Sequence, residues 1–224
     1  MTIQLHQVSK TIGKAVILDS ISMDLHGGTV YGFSGKNGCG KTMLMRCISG
    51  LMKPTSGTVT LNGKQLWKDI SFPESIGMLL ETPAFLPGLT GFENLKLLAD
   101  IRGVISCDDI RDTLREVGLD PNDKRKYRKY SLGMKQRLGI AAALMESPEL
   151  VILDEPINAL DASGVEEIRR LIIRQKQRGS LIIVACHDKE ELHLLADEVF
   201  HLESGRLVGH SVVQKECTEH EDEE

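Results

Sequence analysis

The chain has 224 residues, 41% hydrophobic and 26% charged, the balance of a globular protein with enough length to bury one sizeable core. A net charge of -5 excludes general attraction to nucleic acid. No apolar run approaches the roughly 18 residues of a membrane helix, and five scattered cysteines without CxxC spacing argue for reduced thiols, against a disulfide framework or a zinc site.

The first eighty residues read mainly as strands. "TIQLHQV" alternates, with Ile3 and Leu5 on one face, and "SISMDL" alternates through Ile21, Met23 and Leu25. His26-Gly27-Gly28 is turn chemistry, after which "TVYGF" runs as a short buried strand into glycines. "GTVTLNG" is another strand, closed by Asn62-Gly63. From about Thr90 to Ser147 the patterns turn helical. "DDIRDTLREVGL" carries Ile110, Leu114 and Val117 at helical spacing, with Asp108 or Asp109 near the cap and Gly118 as a stop. Leu138, Ala141, Ala142 and Met145 make a similar stripe before Pro148. Strands return in "LVILDE" and "LIIVAC", separated by the helix "SGVEEIRRLIIRQKQRG", and "EVFHLESGRLVG" predicts a hairpin across Glu203-Ser204-Gly205. The predicted architecture is an α/β core with a helical insert, followed by an acidic, solvated and frayed tail.

"GKNGCGKT", residues 35 to 42, fits G-x-x-x-x-G-K-[ST] between a strand and a helix. Gly35, Gly38 and Gly40 let successive backbone N–H groups surround a phosphate, and the helix adds its positive end. Lys41 can reach β- and γ-phosphates, and Thr42 can place its hydroxyl on Mg²⁺. "LVILDEP" is an apolar strand ending in Asp154 and Glu155, which aims two carboxylates at a ligand crevice. Asp154 suits Mg²⁺, and Glu155 could polarise an attacking water. His187, again at a strand end, could touch a γ-phosphate, although a lone histidine is more often structural. Asp161 in "NALDASG" reads equally as a helix N-terminal acid, with Ser163 as an alternative cap. In "YSLGMKQRLG", Ser131 and Gly133 stand where a helix start would leave N–H groups for an anion, and Ser131 as a plain N-cap is the blander reading. "KRKYRK" at 124 to 129 reads as a solvated face.

"GKNGCGKT", "YSLGMKQRLGIAAALM", "VILDEP", "NALD" and "ACHD", in that order, resemble the ATP-binding subunits of ABC transporters over residues 2 to 208. The spelling "YSLGMKQR" is similar to the bacitracin- and lantibiotic-type exporter branch. The resemblance implies a P-loop ATPase core with a mixed sheet, an N-terminal antiparallel β-subdomain and an inserted α-helical subdomain. The ATPase domain would span 1 to 210, with core at about 1–84 and 148–210, insert at about 85–147, and tail from 211. It implies ATP and Mg²⁺ as cofactors, with Gly35, Asn37, Gly38, Cys39, Gly40, Lys41 and Thr42 on the nucleotide. Thr42 and Asp154 would hold the metal, with Glu81 as a further ligand. Glu155 would be the catalytic carboxylate, His187 the switch histidine and Asp161 the D-loop acid. Ser131 and Gly133 would be signature residues that cover the nucleotide held by a second ATPase subunit, identical or not.

The implied role is a Mg-dependent ATPase that drives a separate transmembrane permease, exporting a peptide antibiotic or similar amphipathic compound. It would lie on the cytoplasmic face of the membrane, with no nucleic-acid partner. "ETPAFLPGLTGFEN" would dock the permease, with Phe85, Leu86 and Leu89 either exposed contacts or core. A soluble ATP-gated assembly factor of the same superfamily is the alternative, and a P-loop kinase a remoter one. Four positions depart from the family spelling. Leu132 and Met134 replace a Gly and a Gln of the signature. Glu81 replaces a glutamine, and its carboxylate can ligate Mg²⁺ but also repels phosphate. Ile12 replaces the aromatic that stacks on adenine, a loss of about 1 kcal/mol that weakens base selectivity.

Overall fold

The computed structural model describes residues 1–81 and 83–213. β1 (Thr2–Ile12) and β2 (Ala15–His26) form an antiparallel hairpin, which β4 (Ser56–Leu61) and β5 (Lys64–Gln65) extend to a sheet of order β2-β1-β4-β5. Asn62 and Gly63 have φ of 48° and 79°, the two left-handed positions that a tight hairpin turn requires. The second sheet has the order β10-β9-β3-β8-β7-β6. It comprises β3 (Val30–Ser34), β6 (Ile76–Leu79), β7 (Leu150–Asp154), β8 (Leu181–Ala185), β9 (Glu198–Glu203) and β10 (Arg206–Val212). All are parallel except β10, which returns across Ser204-Gly205 as the expected hairpin. β10 runs two residues into the segment read as a tail, and the acidic remainder from 214 lies outside the described residues.

The two-residue period of the central strands sorts two cores. Leu150, Ile152, Leu181 and Ile183 share a cluster with Leu44, Met45 and Ile48 of α1 (Lys41–Ile48) and with Ile3, Leu5 and Val59 of the antiparallel sheet. Val151, Leu153, Ile182 and Val184 face the other way. They pack with α2 (Gly91–Arg102), α3 (Cys107–Glu116), α4 (Leu132–Leu144), α5 (Ala162–Gln177) and α6 (Lys189–Leu195). Every residue of β3, β7 and β8 is buried, so these strands read as apolar runs. Helices α2, α3 and α4 lie between β6 and β7, and their buried side chains run into the sheet's core without a break.

The helix ends show their caps. Asp108 and Asp109 lie in the first turn of α3, Ser106 is its N-cap, and Asp109 closes the box by accepting from the Ser106 backbone N–H at 2.7 Å. Gly118 ends that helix with φ 72°. Thr90 and Glu93 form the same box at α2. Helix α6 was not foreseen, because seven residues with Leu192 and Leu195 as the buried pair carry little periodic signal. In the basic run, Lys124, Arg125, Arg128 and Lys129 are exposed as expected, but Tyr127 is buried. Its hydroxyl donates to the Pro83 carbonyl at 2.6 Å and its ring packs edge-on against Phe85. Phe85 and Leu89 are therefore partly buried, and of the three apolar candidates there only Leu86 is exposed.

One glycine joins the sheet to α4. A Cβ on Gly77 would lie 1.7 Å from the Ala143 carbonyl oxygen, so β6 and α4 touch backbone to backbone. Gly77→Ala is expected to destabilise the fold by about 3 kcal/mol, seen as a lower urea midpoint with an unchanged slope.

Candidate active site

β3 ends at Ser34 and the chain turns through residues 35 to 40 before α1 begins. Gly35, Gly38 and Gly40 have φ of 152°, 79° and 110°. At Gly35 a Cβ would also strike the Leu202 carbonyl and the Cys39 sulfur, so Cys39 fills the inside of the turn. At Gly38 a Cβ would meet nothing, which leaves bare backbone facing open space. The loop is backed by the β9–β10 turn, where the Gly205 N–H donates to the Cys39 carbonyl at 2.9 Å. Lys41 is buried and folds over the loop, donating from Nζ to the Gly35 carbonyl at 2.6 Å. Two cavities of about 760 and 340 Å³ flank the loop. Lys36, His187 and Lys189 line the larger, and Lys41, Thr42, Asp154 and Glu155 line the smaller.

The strand ends bring the remaining groups to this edge. Asp154 closes β7 opposite Ala185, and the Thr42 hydroxyl donates to its Oδ2 at 2.7 Å. Burial, aided by the negative charges of Glu155 and Glu81, pushes the Asp154 carboxyl above its usual range against the pull of Thr42 and Lys41. Glu155 has φ 49° and is held by its N–H to the Ala185 carbonyl. His187 Nδ1 lies 2.9 Å from Glu155 Oε2, so the two strand-end residues meet. Cys186 joins them within 4.8 Å, but burial pushes its thiol up to about 11, which keeps it protonated and a poor metal ligand. The Thr42 hydroxyl and Asp154 carboxylate, beside Lys41 and the bare glycine backbone, are oxygen donors of the kind that suits Mg²⁺ with a polyphosphate.

Ser131 and Gly133 lie at the start of α4. Ser131 caps α4, its Oγ accepting from the Met134 N–H at 3.2 Å, and Gly133 packs where a Cβ would lie 2.8 Å from the Ala159 carbonyl. Neither lines the two cavities at the phosphate loop. Leu132 is 62% exposed and lines a separate cavity of about 300 Å³ with Glu81, Asp154, Glu155 and Asn158. Asp161, not Ser163, caps α5, and the Gly164 N–H first, with Ser163, holds its carboxyl below the usual range. Glu81 extends from the end of β6 with φ 63°, its carboxylate 2.6 Å from Arg46 Nη2. Ile12 is exposed at the end of β1, whereas Ile17 lines the mouth beside the loop.

Sequence reasoning missed three groups. Gln136 is buried and donates to the Glu155 and Pro156 carbonyls at 2.9 and 3.1 Å, tying α4 to the turn after β7. Arg137 reaches the Val117 carbonyl, Glu167 and Asp161, joining α3, α4 and α5. Arg46 pairs with Glu81. A buried glutamine in an apolar helical stripe was the available signal for the first; the arginines carried none.

A family model for the ABC transporter matches residues 18–158. The uncharacterized ABC transporter ATP-binding protein YybJ of Bacillus subtilis (strain 168) is 45% identical over 92% of this chain and 94% of its own length. The bacitracin transport ATP-binding protein BcrA of Enterococcus faecalis is 40% identical, over 92% of this chain and 68% of that protein. The lantibiotic transport ATP-binding protein SrtF of Streptococcus pyogenes is 37% identical, over 92% and 89%. Among solved structures, the dimeric bacterial ABC transporter cassette MJ0796 superposes with a TM-score of 0.85 at 26% identity, over 95% of this chain and 99% of that one. The fold is therefore the α/β P-loop ATPase fold.

Asp154 links this site to stability. Its raised pKa means that the folded chain binds the proton more tightly than the unfolded chain, so ionisation above that pH opposes folding. Asp154→Asn is expected to melt higher than wild type at pH 7 without nucleotide. The gap should narrow as the pH falls and both carboxyl states become neutral; ATPase activity should be lost.

Proposed function

The chain belongs to the ABC transporter family as an ATP-binding subunit, and from that premise we propose which residues perform the hydrolysis and what it drives. The observation that carries the reading is the meeting of Thr42, Asp154, Glu155 and His187 at one edge of the sheet beside the glycine loop. The loop from Gly35 to Thr42, with Asn37 and Cys39 in it, holds the phosphates through backbone N–H groups, and Lys41 turns its ammonium to the β- and γ-phosphates. Thr42 and Asp154 hold Mg²⁺, and Glu81 at the same edge can add a third oxygen. Mg²⁺, when bound, offsets phosphate charge and polarises the γ-phosphoryl group. A Glu155 carboxylate oxygen takes the proton of the water that attacks the γ-phosphorus while the bond to the ADP oxygen breaks. With its proton on Nδ1, His187 donates to Glu155 Oε2 and fixes that carboxylate's orientation.

Ser131 and Gly133 complete the site of a second ATPase subunit, with Asp161 at the same seam. Their separation from this chain's own loop cavities supports that assignment. ATP then favours the closed pair because it contacts both subunits only there. The work is passed to a transmembrane permease on whose cytoplasmic side this subunit sits. The names of the bacitracin and lantibiotic relatives support export of a peptide antibiotic. No helix among the described residues is long and apolar enough to cross a membrane, so the passage itself falls to that partner.

Glu155→Gln protein with excess ATP and Mg²⁺ is expected to dimerise by light scattering, alone or with permease, and to hydrolyse at least about 100-fold more slowly than wild type. Persistent monomer under both conditions would contradict the shared-site reading.

A further inference from the structure

The cavity shared by Asp154 and Glu155 has a third carboxylate on its rim. Glu81 follows β6 in a left-handed conformation and lines this space with Asp154 and Glu155, which also line the smaller loop cavity, so its charge lies next to the two acids that face the polyphosphate in the proposed reading. Three acids at one edge would oppose the entry of ATP. The structure supplies a counterion from an unexpected direction. Arg46 stands one helical turn after Thr42 on α1, on the same face, and its Nη2 lies 2.6 Å from Glu81 Oε1. Both side chains are partly solvent-exposed, at 32% and 62%, and such a pair contributes little to fold stability. Its consequence is local charge and placement.

We propose that Arg46 is a positioning residue for the nucleotide site, holding the Glu81 carboxylate against α1 and offsetting its charge toward the incoming polyphosphate. The inference rests on the nucleotide reading of the site. It explains how a carboxylate is accommodated where charge repulsion would weaken binding. It also makes the effect dependent on metal. Without Mg²⁺ the phosphates carry their full charge, and an unrestrained Glu81 repels them most; with Mg²⁺ the penalty shrinks.

The test is an equilibrium titration of a fluorescent ATP analogue against the full chain, with EDTA and with saturating Mg²⁺, each variant checked for an unchanged melting temperature. Arg46→Gln is expected to weaken metal-free binding about tenfold and Mg-loaded binding less. In EDTA, where Glu81 ligates no metal, the Arg46→Gln/Glu81→Gln double variant should return to within about twofold of wild type, a non-additivity that a structural role for Arg46 alone would not produce. Arg46→Lys should keep most of the affinity, and Glu81→Gln alone, which frees Arg46, should tighten metal-free binding. Equal weakening in Arg46→Gln and the double variant would overturn the proposal, as would unchanged binding in Arg46→Gln. If the wild-type chain itself binds no analogue in either condition, the nucleotide reading fails first.

Discussion

The hydrogen bond from Thr42 to Asp154, 2.7 Å long and spanning 112 residues of sequence, joins the first turn of α1 to the end of β7. It can form because β3, β7 and β8 are parallel, fully buried and held in register, with Phe33 and Asp154 each opposite Ala185. A strand buried on both faces has no room for charge along its length, so its polar residues fall at its end. Ser34 and Asp154 follow that rule as the last residues of β3 and β7, and His187 comes two residues after the end of β8. The site is thus a property of sheet order, and the loop before α1 supplies the backbone donors that the strand-end acids lack.

Around that edge the backbone is held in unusual conformations. Glu81, Glu155 and Ala159 all have positive φ without being glycine. Each lies where a strand end or turn meets the cavity that the acids share. Such geometry persists only when neighbours over-determine it. Here those neighbours include Arg46 on Glu81, the Ala185 carbonyl on Glu155 and Gln136 on the carbonyls that follow. Helix α4 therefore carries both the Ser131 turn and a brace on the Glu155 segment. Motion of α4 would be felt at both.

The parts legible in the sequence were those set by local chemistry. Glycine spacing announced the phosphate loop, apolar runs ending in acid announced β7, and Ser204-Gly205 announced the last hairpin. The antiparallel strands were visible by their period of two, whereas the division of the interior into two cores, with α1 on one of them, was not. What escaped were contacts between segments far apart in the chain. Gln136 to Glu155 and Arg137 to Glu167 depend on how α4 lies against the sheet and α5, which no short window contains. Short elements escaped for a different reason: α6 and β5 are too brief to carry a period.

The bacitracin and lantibiotic relatives are named as ATP-binding proteins of transport. The central claim is that a separate membrane-spanning protein receives the work of the proposed Thr42–Asp154–Glu155 site. The most direct measurement is purification of the tagged chain from its native membranes in mild detergent, with every stoichiometric companion identified. The account predicts a multi-span protein in fixed ratio to the ATPase. A clean monomer or dimer with no membrane protein would contradict it and favour a soluble ATP-gated assembly factor.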